Sequence, residues 1–302
     1  MLVIPKVDVS IVSSNVATID PNFNQWVAGY NTTGYMIGDF VQIVSTDTIY
    51  RSAKDNNLID PLTDTYNESW IEYGATNYKK AFDSKRSSKC ENADTIYYEF
   101  STSDIDSVSL MGLEAKTVTV KLTNNATATV MLEETIDTLE RDVYDWYDWT
   151  YAQVDHISSL YKALPLVFDG KLEITIDNTG SIAKVSHIIY GRALQLGLTL
   201  AEPMPIASIR NIASKTRDVF GDLKTEVNIT YKRMLVNVIL NSVAVDRVQN
   251  RLEKLNGIPC MFVADEREGG YASLSIFGVH KDFDMPIGVS ITKYQLEIEG
   301  FN

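Results

Sequence analysis

The residues best suited to chemistry in this chain are aromatic rings interleaved with carboxylates, in the run Tyr144-Asp145-Trp146-Tyr147-Asp148-Trp149-Thr150-Tyr151. Read as a strand, the run puts Asp145, Tyr147, Trp149 and Tyr151 on one face and Tyr144, Trp146 and Asp148 on the other. Aromatic faces stack on the C–H face of a pyranose, and carboxylates accept its hydroxyl protons, so Asp145, Trp146, Asp148 and Trp149 form a candidate sugar platform. The same carboxylates could act as the acid and base of a glycosidase. The plainer reading is a packing face between domains or subunits. With 40 acidic residues in the chain, no carboxylate pair stands out from the background.

A second set of rings comprises Trp26, Tyr30, Tyr35, Tyr50 and Trp70, spaced around Gly38-Asp39, Val41 and Pro61. These rings either present flat faces to a sugar or fill the core of a module too small to bury much else. Signatures of other chemistry are missing. The three histidines, His156, His187 and His280, lack the i, i+4 spacing of a zinc site. No phosphate-cradling glycine loop, dinucleotide fingerprint or nucleophile elbow occurs. Ser159-Leu-Tyr-Lys162 matches Ser-x-x-Lys, a pattern common by chance. Cys90 and Cys260 lie far apart and read as buried small hydrophobes of a protein assembled in a reducing cytosol. The expectation is a protein with no catalytic residues, no metal and no cofactor.

These residues need elements to hold them. The 302-residue chain is 45% hydrophobic and 22% charged, enough for two or three folded domains. A net charge of −13 argues against a nucleic-acid partner, because such a surface repels phosphate. The opening Met1-Leu-Val-Ile-Pro-Lys-Val does not read as a signal peptide, and no stretch approaches the ~20 apolar residues that cross a bilayer, so no membrane contact is expected.

Strand signals dominate, and the fold class expected is mainly β. Residues 1–24 read as an extended N-terminal arm and 25–74 as a small aromatic module. Residues 75–193 carry short β-rich runs at even spacing, as an antiparallel β-sandwich requires. Pro203-Met204-Pro205 marks a boundary region, and 194–302 read as a C-terminal α+β unit. In it Val227–Leu240 alternates with a phase shift near 234–235, and a bulge or a strand break would allow that. A helix over 242–256 is predicted from the apolar stripe Val245, Val248, Leu252 and Leu255, with Asn241 or Ser242 as cap and Gly257 and Pro259 as stop. Strands over 259–264, 271–279 and 290–299 follow.

Several likenesses attach to these residues. Trp26, Tyr30, the Gly38-Asp39-x-Val41 turn, Tyr50 and Trp70 resemble the small chitin-binding type of carbohydrate-binding module, which implies sugar contacts from Tyr30 or Tyr35. Ala75 to Asp83, Ile96 to Phe100 and Ile105 to Gly112 resemble the opening of galactose-binding-like jelly rolls, implying only a jelly-roll-like sandwich. Tyr231 to Val238, the 242–256 helix, Phe277 to Phe283 and Leu296 to Gly300 resemble the β-sandwich-with-helix domain of phage distal-tail and tail-tube proteins. Most of the chain is similar to a family of tailed-phage and prophage virion proteins. That likeness adds the Ala75-to-Asp83 run, Arg217-Asp218-Val219-Phe220-Gly221 and the closing Leu296-Glu297-Ile298-Glu299-Gly300. It implies a structural component of the tail, baseplate or neck, assembled in the bacterial cytoplasm as a ring or collar of copies with other virion proteins. The alternative is a carbohydrate-binding adhesion protein for host surface polysaccharide, and behind it a glycan hydrolase.

Overall fold

The computed structural model describes residues 1–28, 34–85, 87–141, 143–152, 154–211, 215–217, 223–225, 230–267, 270–281 and 283–301, with 215–217 and 223–225 described by backbone alone. The segment expected as an arm is extended, and sheets claim both of its apolar stretches. β1 (Leu2–Pro5) pairs antiparallel with a strand near the far end of the chain, Leu2 opposite Val263 and Pro5 opposite Cys260. β2 (Ile11–Ser14) lies along the sandwich.

The aromatic module is a four-stranded sheet. The short strand Asn24–Gln25 runs parallel to β3 (Phe40–Ile43), which continues antiparallel into β4 (Thr48–Ser52) and β5 (Trp70–Ala75). Gly38 turns the chain into β3 with φ of +92°, a backbone conformation that disfavours any side chain. Asp39 closes this turn by accepting the Met36 amide at 2.8 Å. The module's own cluster is small: Tyr35, Val41 and Trp70, with Trp26 and Tyr50 half-buried against it.

Period-two alternation builds the sandwich. One sheet has the order β9 (Thr129–Asp137), β8 (Thr117–Asn124), β11 (Gly170–Val185), β6 (Cys90–Thr102), β2. Val118, Val120 and Leu122, Leu172, Ile174 and Ile176, and Ile96, Tyr98 and Phe100 all point inward. The facing sheet is β10 (Ser159–Val167), β7 (Ile105–Met111), β12 (His187–Gly191), with β7 central. Polar side chains on the outer face of the larger sheet pair across strands, Tyr97 with Glu173 and Thr119 with Thr135, and Tyr97 also bonds Glu99 on its own strand.

The C-terminal unit is one broad antiparallel sheet with a single helix on it, rather than a sandwich of its own. Its order is the short strand Leu194–Gln195, β1, β15 (Cys260–Val263), β16 (Ser275–His280), β17 (Ile291–Gly300), β14 (Thr230–Asn241), and the short strand Leu198–Thr199. β13 (Ile206–Asn211) also pairs with β14, beside Leu198–Thr199. The bulge expected near 234–235 is absent, and pairing runs unbroken from Arg233 opposite Glu299 to Asn241 opposite Ile291. Met234, Val236, Val238 and Leu240 share one buried face, so the phase is constant from 230 onward. Val227 and Ile229, from which the shift was read, lie outside the described residues, as do Asp218–Gly221 and Asp282.

Helix α2 (Val245–Lys254) follows a 3-10 turn whose first amides are capped by Asn241, its Oδ1 accepting the Val243 N–H at 3.0 Å. Its stripe of Val245, Val248 and Leu252 seals one face of the sheet against Met1, Val3, Phe262, Leu296 and Ile298. The sheet's other face meets the sandwich. Ile4, Met261, Val263 and Phe277 pack there against Met111 and Ile189, joining the two units through one apolar seam.

Candidate functional site

In the module, the rings picked out by sequence are mostly structural. Trp70 is fully buried, and its Nε1 donates to the Ile59 carbonyl at 2.7 Å. Tyr35, expected to present its face to a ligand, is also buried: it stands edge-on to Trp70 at 5.4 Å, and its hydroxyl accepts the Val27 amide at 3.0 Å. The reason is size, because a sheet this small has few aliphatics and must use its rings as core. Trp26 and Tyr50 are half-buried, and the Tyr50 hydroxyl is pushed above its ordinary pKa, chiefly by burial and then by Glu72. Tyr30 lies outside the described residues.

The open aromatic surface of the module uses other residues. Phe40 sits between Phe23 at 5.9 Å and Tyr73 at 4.9 Å, both edge-on, and the Arg51 guanidinium lies 5.9 Å from the Phe40 ring centre. Cross-strand register explains the grouping, since Phe40 pairs with Arg51 and Arg51 with Ile71. In the sequence these residues are isolated, and only the pairing of β3, β4 and β5 unites them.

The Tyr144–Tyr151 run is a helix, which corrects the strand reading. Helix α1 (Trp146–Tyr151) starts at Asp145, whose Oδ1 accepts the Asp148 amide at 2.9 Å. The Asp148 carboxylate reaches back to the Tyr144 amide at 3.2 Å. This reciprocal capping settles the local choice, because a strand would leave both carboxylates without a backbone donor. The helix buries none of its side chains, and Tyr144, Trp146, Tyr147, Trp149 and Tyr151 are each at least 64% exposed. It crowns a two-stranded ribbon in which Leu139 pairs with His156 and Glu140 with Asp155, so the whole forms a knob standing off the sandwich. Asp145 and Asp148 therefore act on their own backbone at a convex tip, a poor setting for a glycosidase acid and base.

Beside the root of the knob runs an open groove of about 630 Å³, bounded by the ribbon and by the end of β11. Alternation along the ribbon turns Leu139, Arg141, Val154 and His156 into it, while Glu140 and Asp155 belong to the opposite face. Lys116, Ile182 and Lys184 complete the wall.

The histidines sit apart. His156 bonds through Nδ1 to the Ala115 carbonyl at 2.7 Å, and His280 through Nε2 to the Leu252 carbonyl at 3.0 Å. His187 is buried in the seam between units, 4.5 Å from the Phe277 ring. Both cysteines are free and buried, and burial pushes each thiol up to about 11. Among the described residues no group of His, Cys, Asp and Glu is arranged to hold a metal ion, and no helix is long and apolar enough to cross a membrane.

The C-terminal unit carries an apolar rim. Ser242 donates its amide to the Ser290 carbonyl at 3.1 Å, which ties the turn carrying Val243 to the segment carrying Ile287, Val289 and Ile291. All four are exposed, Val243 at 93% and Val289 at 101%. At the far side of the sheet, β13 pairs with β14 and, among the described residues, with no other strand, and it exposes Ile206 and Ile209. β14 is flanked by β13 and Leu198–Thr199 on one side and by β17 on the other. Comparison with known proteins finds no family model that matches this chain and no curated protein similar to it.

Proposed function

We propose that this chain is a non-enzymatic structural subunit of a tailed-bacteriophage particle, built into the tail, baseplate or neck through its C-terminal unit. The observation that carries the reading is the set of exposed apolar side chains Val243, Ile287, Val289 and Ile291, on a sheet whose β13 edge meets no further strand among the described residues. Exposed apolar side chains and strand edges are liabilities in a free monomer and assets in an assembly, where neighbours cover both. Ring closure removes such edges altogether. The sequence likeness to virion proteins supplies the kind of particle.

The test is location and dependence. Antibody raised against the purified chain should mark the tail or neck of the parent particle in immunogold electron microscopy. A Val243→Asp, Val289→Asp variant should fold with an unchanged melting curve yet be left out of particles. Particles that incorporate the variant at normal levels would remove the rim from the argument, and labelling confined to the host cytoplasm would remove the virion reading.

A second reading, adhesion to host polysaccharide, is favoured by the open Phe23, Phe40 and Tyr73 rings with Arg51 above them. Under it Tyr73→Ala should lower glycan affinity by about tenfold without changing the fold. A glycan array without any bound polysaccharide would eliminate it.

A further inference from the structure

We infer that the aromatic knob of one copy seats in the groove beside the knob's root on a second copy, giving a reciprocal two-fold contact separate from the C-terminal rim.

The knob exposes five large rings, Tyr144 and four on a helix that buries none of its own side chains. Tryptophan and tyrosine concentrated this way are the side chains that anchor interfaces. The groove has the complementary composition. In a chain of net charge −13 it gathers Lys116, Arg141 and Lys184 against one carboxylate, Glu114. That carboxylate is already neutralised, with Lys89 at 2.5 Å and Lys184 at 3.2 Å. Among the described residues Lys116 donates to the uncharged Thr179 carbonyl and meets no carboxylate, so its charge is available to a partner. Between the cations lie Leu139, Val154 and Ile182, an apolar floor for aromatic rings. The knob brings Asp145 and Asp148 at the helix start, and Trp146 and Trp149 as faces on which guanidinium and ammonium groups stack. A groove of about 630 Å³ lies within the ~300–1,000 Å³ of pockets that swallow bulky groups.

A second copy is favoured over other occupants by the placement of the two halves. Knob and groove share the same ribbon, so a single two-fold rotation lays each knob over the other copy's groove and covers both surfaces together. Glu140 and Asp155, directly opposed on the ribbon's outer face, would repel an anionic bilayer.

The experiment is sedimentation velocity on the full chain, from low micromolar to about 500 µM, with tryptophan emission followed alongside. Wild type should form dimers with a blue shift as Trp146 and Trp149 leave water, and dimerisation should weaken as salt rises. Trp146→Ala with Trp149→Ala, and separately Lys116→Glu with Arg141→Glu, should each weaken association by about tenfold or more. These side chains lie at the surface, and unchanged melting curves will verify the fold. Mixed together, the two variants should associate better than either alone, because the mixed pair keeps one intact knob-in-groove contact. The inference falls if wild type stays monomeric throughout, if the knob variant associates like wild type, or if mixing restores nothing. None of those results bears on the rim, which Val243→Asp with Val289→Asp tests by itself.

Discussion

Single side chains decide several properties in ways their neighbours reveal. Glu297 lies between Arg233 at 2.5 Å and Lys281 at 2.9 Å, and these cations, Arg233 first, hold its carboxyl down to about 2 from an ordinary 4.5. A depressed carboxylate stabilises the fold fully above its unfolded value and loses that contribution as pH falls through the folded one. Glu297→Gln should therefore cost about 1 kcal/mol at pH 7, allowing for solvent on a side chain 22% exposed. The difference in melting temperature from wild type should vanish between about pH 5 and pH 2. A constant gap across that range would contradict the assignment. Trp70 offers a harsher test, since Trp70→Ala empties the centre of the module and should cost about 3–5 kcal/mol. Hydrogen exchange should then speed up in β3, β4 and β5 while β6 and β11 stay protected, because the module's cluster is separate from the sandwich core. Sequence made Trp26 and Trp70 candidates for core or ligand alike. The choice was not legible there, because ring burial depends on which strand faces which.

Elements differ in how plainly the sequence declares them. β6, β8 and β11 were legible because Ile96-Tyr97-Tyr98-Glu99-Phe100 and its counterparts alternate over a length that admits only a strand. Helix α2 was legible from its stripe and from Gly257, which turns the chain with φ of +73° two residues beyond the Leu255 cap. Helix α1 was misread, since six residues hold too little periodicity to separate a helix from a strand. The available signal was Asp145 followed three residues later by Asp148, the spacing of a capping box with an acid in each place. Because nothing in α1 is buried, replacing residues 143–152 by a short Gly-rich turn should move the melting temperature by no more than about 2 °C. A larger drop in differential scanning calorimetry would mean that the knob supports the sandwich.

At the scale of the molecule, the seam of Ile4, Met111, Ile189, Met261, Val263 and Phe277 makes the sandwich and the C-terminal sheet one cooperative body. Phe277→Ala should cost about 3–5 kcal/mol and lower a single shared transition, seen by both near-ultraviolet circular dichroism and hydrogen exchange. Two separated transitions in the wild-type chain would refute the coupling. None of this was legible in advance, because the arm's Val3 and Ile4 announce a strand without naming its partner.

That partner brings a matter of timing. β1 is translated some 255 residues before β15, opposite which it must lie: it ends at Pro5, and its partner strand starts at Cys260. At ~5–20 residues per second the wait is about ten seconds to a minute. Through that interval the apolar Leu2-Val3-Ile4 stretch has no sheet to join, while β6, β8 and β11 are already complete enough to pair. Folding during translation should thus begin in the middle of the chain and close by fitting β1 between Leu194–Gln195 and the late strand β15. Ribosome-bound chains halted near residue 230 should show protected amides in β8 and β11 and none in β1.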